Sequence, residues 1–174
     1  MAVKAVFLDK DGTLVENVPY NVDPARIRLA QGAEEALSRL AAEGFGIIVI
    51  SNQPGVALRL FDEDALRGVE RHLRGLVPLT DFYYCPHAPG AGCACRKPRC
   101  GLLLEAARDY GVDLAGSWMV GDILDDVEAG RRAGCRTVLV DNGNETEWQL
   151  DDHRRPHAKV AGLVEAAELI CGAA

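Results

Sequence analysis

VKAVFLDKDGT, residues 3–13, opens as an apolar run rich in β-branched residues, Val3 to Leu8, and stops at a polar cluster. A strand buried on both faces reads this way, because it needs no polar alternation. Ile47 to Ile50 repeats the pattern and stops at Ser51-Asn52-Gln53, with weaker versions at Phe82-Tyr83-Tyr84, Trp118-Met119-Val120 and Val138-Leu139-Val140. Helical periodicity fills the intervals. Ala33, Ala36, Leu37 and Leu40 share one face before Gly44, and Asp62 is placed to cap a helix carrying Leu66, Val69 and Leu73. Further helices are expected over Leu102–Tyr110, over Asp126–Ala133 with Gly134 as its stop, and over Val160–Ile170. This alternation predicts an α/β fold, a doubly wound parallel sheet with right-handed crossovers, helices on both faces and ligands at the carboxyl ends of the strands. The long irregular segments are 86–101, rich in Gly and Cys, and the polar run 142–157.

With 174 residues, 48% of them hydrophobic, the chain can bury one substantial core, so one domain over residues 1–174 is the expectation. The first apolar run is too short for a signal-peptide core or a bilayer span, which predicts a cytoplasmic protein with no membrane partner. A formal charge of −7 disfavours nucleic acid and anionic membranes, whose binding rewards basic surfaces. Any anionic ligand therefore has to meet a locally built site. Six cysteines without an export signal imply reduced thiols or a metal site rather than a disulfide framework.

Asp9 and Asp11 directly follow the first strand, and in near-extended backbone residues two apart point the same way. Two carboxylates facing one crevice need a cation, and hard oxygen ligands suit Mg2+. Asp122, Asp125 and Asp126 in VGDILDD follow another strand and offer further acids. Alone, either segment reads equally as a strand ending in an Asp-Gly turn, or as acids capping a helix. The companions change the balance: Ser51-Asn52-Gln53 at a third strand end offers a hydroxyl and N–H groups to phosphoryl oxygens. Lys97 in CRKPRCG offers a point cation, although a lysine before proline is ordinarily just solvated.

DKDGT, SNQPG, Lys97 and GDILDD, in this order and spacing, resemble the four motifs of the haloacid dehalogenase superfamily over residues 4 to about 141. The resemblance implies a magnesium-dependent phosphatase of a small phosphorylated metabolite. By it, Asp9 is the nucleophile, Asp11 the general acid and base, and Ser51, Asn52, Gln53, Arg96 and Lys97 bind phosphate or substrate. Asp9, Asp11 and Asp122 hold Mg2+, with Asp126 supporting. Gly12 permits the tight turn after the acidic pair. A phospho-receiver also gathers acids, a hydroxyl and a lysine on such a sheet, but has no use for Asp11 as an acid two residues past the nucleophile.

Cys85-Pro86-His87 followed by Cys93-Ala94-Cys95 offers three thiolates and one imidazole, the composition of a closed, structural Zn2+ site spanning residues 85–95. Reduced free thiols or a redox pair are the alternatives. A zinc-held interaction module would leave the acids, hydroxyl and lysine unexplained. CPH followed by CxCRKP resembles the small capless, zinc-loop subgroup that contains heptose bisphosphate phosphatases and histidinol-phosphate phosphatases. It implies no large cap domain, with substrate choice left to residues 15–28, 53–61 and 86–101, and a monomer is expected. Gly55-Val56-Ala57-Leu58-Arg59 departs from the heptose pattern Gly-x-Ala-Arg-Gly, and Arg59 is the candidate to replace the displaced arginine. Cys100 stands where that pattern has proline. Trp148 is read as packing the late loop onto the sheet, with a ligand contact as the alternative.

Overall fold

Strands and helices alternate along the chain in a computed structural model that describes residues 3–173; Met1, Ala2 and Ala174, the ends of the expected domain, lie outside the described residues. The elements are β1 (Ala5–Leu8), α1 (Ala33–Ala42), β2 (Gly46–Asn52), α2 (Glu63–Arg74), β3 (Asp81–Cys85), α3 (Gly101–Tyr110), β4 (Trp118–Gly121), α4 (Leu124–Ala133), β5 (Arg136–Val140), β6 (Ala158–Val160) and α5 (Leu163–Gly172). Every strand pairing is parallel, in the order β3-β2-β1-β4-β5-β6. The chain runs outward from β1 to β3 and returns beside β1 as β4. The loops leaving β1 and β4 diverge there, and a crevice opens at their carboxyl ends.

Alternation along the strands sorts the core into two layers. Val6 and Leu8 of β1 join Ile47 and Val49 of β2 beneath Leu37, Leu40, Leu73 and Ile170, from α1, α2 and α5. Ala5, Phe7, Ile48, Ile50 and Met119 face the other way, against Leu102, Leu103 and Ala106 of α3 and Ala129 of α4. Both faces of β1 are fully buried, which is why its sequence carries no polar alternation. The expected signals act where they were placed: the Asp62 carboxylate accepts from the Ala65 N–H at 2.9 Å to start α2, and Gly134 ends α4 in the left-handed region.

Several boundaries differ from expectation: α4 starts at Leu124 rather than Asp126, β2 runs on through Ser51 and Asn52, and two ends change more. Val3 does not extend β1 and makes only an isolated bridge to Val112. Val160 is not helical: Ala158–Val160 pairs in register with Val138–Val140 as β6, and α5 begins at Leu163. Glu165 fixes that start by accepting the Ala161 and Gly162 N–H groups at 2.8 and 2.9 Å. A strand of three residues at the sheet edge is too short for a period to show. No inserted cap domain occurs: residues 9–32 hold one short 3-10 helix, Pro24–Arg26, and residues 53–62 hold no regular element. Among the described residues no helix is long and apolar enough to cross a membrane.

Candidate active site

Asp9 leaves the end of β1 with its N–H bonded to the Val120 carbonyl of β4 at 3.0 Å, so the β1–β4 pairing delivers it to the crevice. The chain then folds tightly back, the Leu14 and Val15 N–H groups both reaching the Lys10 carbonyl at 3.0 Å. Carboxylate oxygens of Asp9, Asp122 and Asp126 converge within 4.8 Å of one another, and all three residues are buried. Such a set of hard anionic oxygens fits a divalent cation. Asp11 is expected among the metal ligands with Asp126 supporting; in the structure the Asp126 carboxylate gathers with those of Asp9 and Asp122, and the Asp11 carboxylate does not. Asp11 is half-buried, and its carboxylate turns instead to Lys10 Nζ and to Gln53 Nε2, the latter at 2.9 Å.

Lys97 Nζ lies 2.6 Å from Asp9 Oδ1, 2.6 Å from Asp126 Oδ1 and 2.8 Å from the Ile50 carbonyl, with the side chain 3% exposed. The contact to Asp126 is an ion pair without hydrogen-bond alignment, since Asp126 Oδ1 has no hydrogen-bond partner. Asn52, expected on substrate, clamps the Lys97 backbone: its Oδ1 accepts from the Lys97 N–H at 3.0 Å and its Nδ2 donates to the Lys97 carbonyl at 3.2 Å. Gln53 Nε2 also donates to Ser51 Oγ at 2.8 Å, so one amide spans the hydroxyl and Asp11. Arg96 is half-buried with an unpartnered Nη1. Arg59 is exposed in the left-handed region and lines a cavity with Val56, Phe61, Asp62 and Glu63, none of them part of the acidic cluster.

Burial pushes the Asp9 carboxyl up to about 7; Lys97 opposes this and Asp126 adds to it. Burial likewise raises Asp122, aided by Asp9, and raises Asp126 against the pull of Lys97. Burial alone would lower Lys97, but Asp126 and Asp9 outweigh it and hold the ammonium above the ordinary lysine range. A site that keeps its acids this close and dry is short of positive charge.

The Cys85, Cys93 and Cys95 thiols and the His87 ring also meet. Cys85 Sγ is 3.4 Å from His87 Nδ1, 3.6 Å from Cys93 Sγ and 3.1 Å from Cys95 Sγ, and His87 Nδ1 is 3.2 Å from Cys95 Sγ. Tetrahedral Zn2+ with bonds of about 2.0–2.3 Å needs donors on the order of 3.5 Å apart, so the set fits. Burial and the neighbouring thiols push Cys95 up to about 12. Against burial, the Arg96 N–H and those thiols bring Cys93 down to about 7. Burial and mutual proximity oppose the ionisation of Cys85 and Cys95, a cost that a bound cation offsets. The Gly101 N–H donates to the Ala94 carbonyl at 3.1 Å, and a Cβ at Gly101 would lie 2.8 Å from the Ala94 carbonyl carbon. The loop is thus seated on the start of α3, two residues from Lys97.

The HAD-hyrolase-like family model matches residues 94–166. The D-glycero-beta-D-manno-heptose-1,7-bisphosphate 7-phosphatase of Pseudomonas aeruginosa is 42% identical over 159 residues, covering 82% of this chain and 84% of its own length. The chain belongs to the haloacid dehalogenase phosphatases. A second such relative, the enzyme of the same name from Photorhabdus laumondii, is 36% identical over 86% of each chain. Among solved structures, the D,D-heptose 1,7-bisphosphate phosphatase of B. bronchiseptica, complexed with magnesium and phosphate, superposes with a TM-score of 0.87 at 33% identity. The match covers 99% of this chain and 100% of that one.

Sequence reasoning missed four polar neighbours in this phosphatase. Lys10 is 2% exposed beside Asp11, and Thr13 Oγ1 donates to Asp122 Oδ1 at 3.1 Å. Asn142 and Asn144 reach in from the polar run after β5. Thr13 was legible within DKDGT; a lone asparagine in a polar run carries no signal.

The raised acids predict a pH dependence. Protons compete with a cation for Asp9, so the midpoint of Mg2+-induced thermal stabilisation rises about tenfold per unit as pH falls below about 7. Without metal the sign is opposite. Folded Asp9 binds its proton more tightly than the unfolded chain, whose value is 3.8, so this group's contribution is lost as pH rises from there to about 7. Thermal melts across pH with and without Mg2+ read both; a midpoint independent of pH contradicts the assignment.

Proposed function

We propose that this phosphatase removes the 7-phosphate of D-glycero-D-manno-heptose 1,7-bisphosphate by way of a phospho-aspartate on Asp9. The observation that carries the chemistry is the buried Asp9–Asp122–Asp126 group with Lys97 wedged between Asp9 and Asp126 at the β1–β4 switch. The substrate is inferred from relatives of that name which match over most of this chain.

In the first transfer an Asp9 oxygen bonds to phosphorus as the bond to the sugar oxygen breaks in line. Asp11 gives its proton to the departing alkoxide. In the second, Asp11 takes a proton from water as the water oxygen bonds to phosphorus and the Asp9–phosphorus bond breaks. Gln53 and Lys10 aim Asp11 for both tasks. Ser51 and Lys97 receive phosphoryl oxygens, with Asn52 fixing the Lys97 backbone. Mg2+ on Asp9, Asp122 and Asp126, when bound, supplies the charge that lets an anionic nucleophile approach an anionic phosphate. Arg96, with the exposed Arg59 as the sequence-derived alternative, is the candidate cation for a second phosphate. On this reading the enzyme works in the cytoplasm as a single-domain monomer on a small metabolite, without nucleic acid or membrane.

Phosphate release in Mg2+ buffer tests the substrate. The expected result is a kcat/KM for the heptose bisphosphate, in its better anomer, at least about a hundredfold above that for histidinol phosphate, or about 2.7 kcal/mol of discrimination. Preference for histidinol phosphate overturns the heptose assignment while leaving the chemistry.

Structural Zn2+ on Cys85, His87, Cys93 and Cys95 accounts for the thiol cluster. Freshly purified protein is expected to carry about one zinc per chain. Cys95→Ser should lose it and lower kcat/KM by about 10–100-fold, because the loop that delivers Arg96 and Lys97 loses its anchor. Full activity in zinc-free protein contradicts this role.

A further inference from the structure

Asn144 lies in the polar segment between β5 and β6, and the chemistry above makes no use of it. Its Nδ2 donates to Asp122 Oδ2 at 2.6 Å, while Thr13 holds the other oxygen of the same carboxylate. Two donors on opposite oxygens fix the plane of a carboxylate that could otherwise rotate. Both donors are neutral, so neither offsets the carboxylate charge that a cation would use.

The same short segment grips the site at two further points. Asn142 Nδ2 donates to the Gly12 carbonyl at 2.5 Å, in the turn that directly follows Asp11, while its Oδ1 accepts the Asn144 N–H at 3.1 Å. Glu145 Oε2 accepts the Leu124 N–H at 2.7 Å, at the first turn of the helix that carries Asp126. A Cβ at Gly12 would lie 2.5 Å from Asn144 Nδ2, and φ there is +89°. Gly12 therefore leaves the space through which Asn144 reaches Asp122.

Trp148 ties this segment to the body of the protein. Its indole N–H donates to the Glu145 carbonyl at 3.1 Å, and its ring packs against Leu124, Val127 and Leu139. Lys159 Nζ sits 4.4 Å from the ring centroid and pairs with Asp141 at 3.2 Å. The indole is thus one hydrogen bond from the residue adjoining Asn144.

We propose that Asn144 is a positioning residue that presents Asp122 to the divalent cation, held in place by Asn142, Glu145 and Trp148, so that Trp148 senses occupation of the site. The inference rests on the reading of Asp122 as a metal ligand. Orienting the ligand before the cation arrives lowers the ordering cost of binding it. Asn144 therefore acts on metal affinity rather than on the phosphoryl transfer itself.

The chain has two tryptophans, and Trp118 is buried in the core, so Trp118→Phe isolates the signal of Trp148. Titration of that protein with Mg2+ alone is expected to give a saturable fluorescence change whose midpoint matches the Mg2+-dependent rise in Tm. If Trp118→Phe does not fold, the wild type and Trp148→Phe are titrated and their difference supplies the signal. Asn144→Ala and the near-isosteric Asn144→Leu should move the Tm midpoint about tenfold or more to higher Mg2+. The Mg2+ concentration for half-maximal activity should rise by a similar factor. A merely structural role would lower the Tm of the metal-free protein and leave the Mg2+ midpoint unmoved, which overturns the proposal. Silence of Trp148 while Tm responds overturns its sensing part. A wild type whose Tm ignores Mg2+ removes the ligand reading and this proposal together; a wild type that responds, with Asn144 variants that respond identically, removes only this one.

Discussion

Asp9→Asn lowers kcat by at least about ten-thousand-fold and leaves the protein folded. The amide has the carboxylate's shape but lacks the nucleophilic charge, and no second group within the site replaces it. The fold should not suffer. Burial already pushes Asp9 up to about 7, so its anion is a strain on the metal-free protein that the amide relieves. Lys97 keeps its contacts to Asp126 and the Ile50 carbonyl. The metal-free variant should therefore melt no lower than wild type above about pH 7, while its gain in Tm from Mg2+ shrinks. Steady-state phosphate release and paired melts read both effects; turnover near the wild-type rate contradicts the nucleophile assignment.

Lys97→Ala should cost both stability and activity. Lys97 is the cation between two buried acids, and removing one member of a buried charge group costs about 3–5 kcal/mol, because the partners are left uncompensated. In a chain of this size that lowers Tm by roughly 6–20 °C. Mg2+ should restore part of the loss by supplying the missing charge. Catalysis should fall by about 10^2–10^3-fold even at saturating Mg2+, the usual effect of deleting one stabiliser of developing charge. A metal-free Tm equal to wild type would mean that the acids are protonated in the fold and that the ion pairs contribute nothing.

How much of this was legible in the sequence depended on the range of the interaction. β1, β2, β4 and β5 announce themselves because burial on both faces demands continuous apolar runs, β3 at the half-buried edge by its aromatic residues, and the helices because one face of each packs on the sheet. β6 escaped because Ala158, Lys159 and Val160 are strand only by virtue of pairing with β5, a partner distant in sequence. The acids of the crevice were readable as pairs at strand ends, and Cys85, His87, Cys93 and Cys95 by ligand type and spacing.

What the sequence could not convey was which of the acids gather side by side. The Asp126 carboxylate rather than that of Asp11 joins Asp9 and Asp122 because Lys10 and Gln53 capture the Asp11 side chain, while Gly121 and the start of α4 bury Asp126. Asn52, expected on substrate, also has a contact within the fold that the sequence did not announce. It serves the Lys97 backbone because parallel pairing of β2 with β3 brings the end of β2 beside Cys85 and the loop that follows it. Nothing in a linear reading joins residue 144 to residue 122.

The most direct test of the account is to trap the intermediate. Protein mixed with heptose 1,7-bisphosphate in Mg2+, quenched in acid during turnover and reduced with borohydride, is analysed by peptide mass spectrometry. An acyl phosphate at Asp9 is reduced to homoserine at that position, and the account predicts homoserine at residue 9 alone, absent without substrate and absent in Asp9→Asn. Homoserine at another aspartate, or active turnover with residue 9 unmodified under conditions that trap a known acyl phosphate, would contradict it.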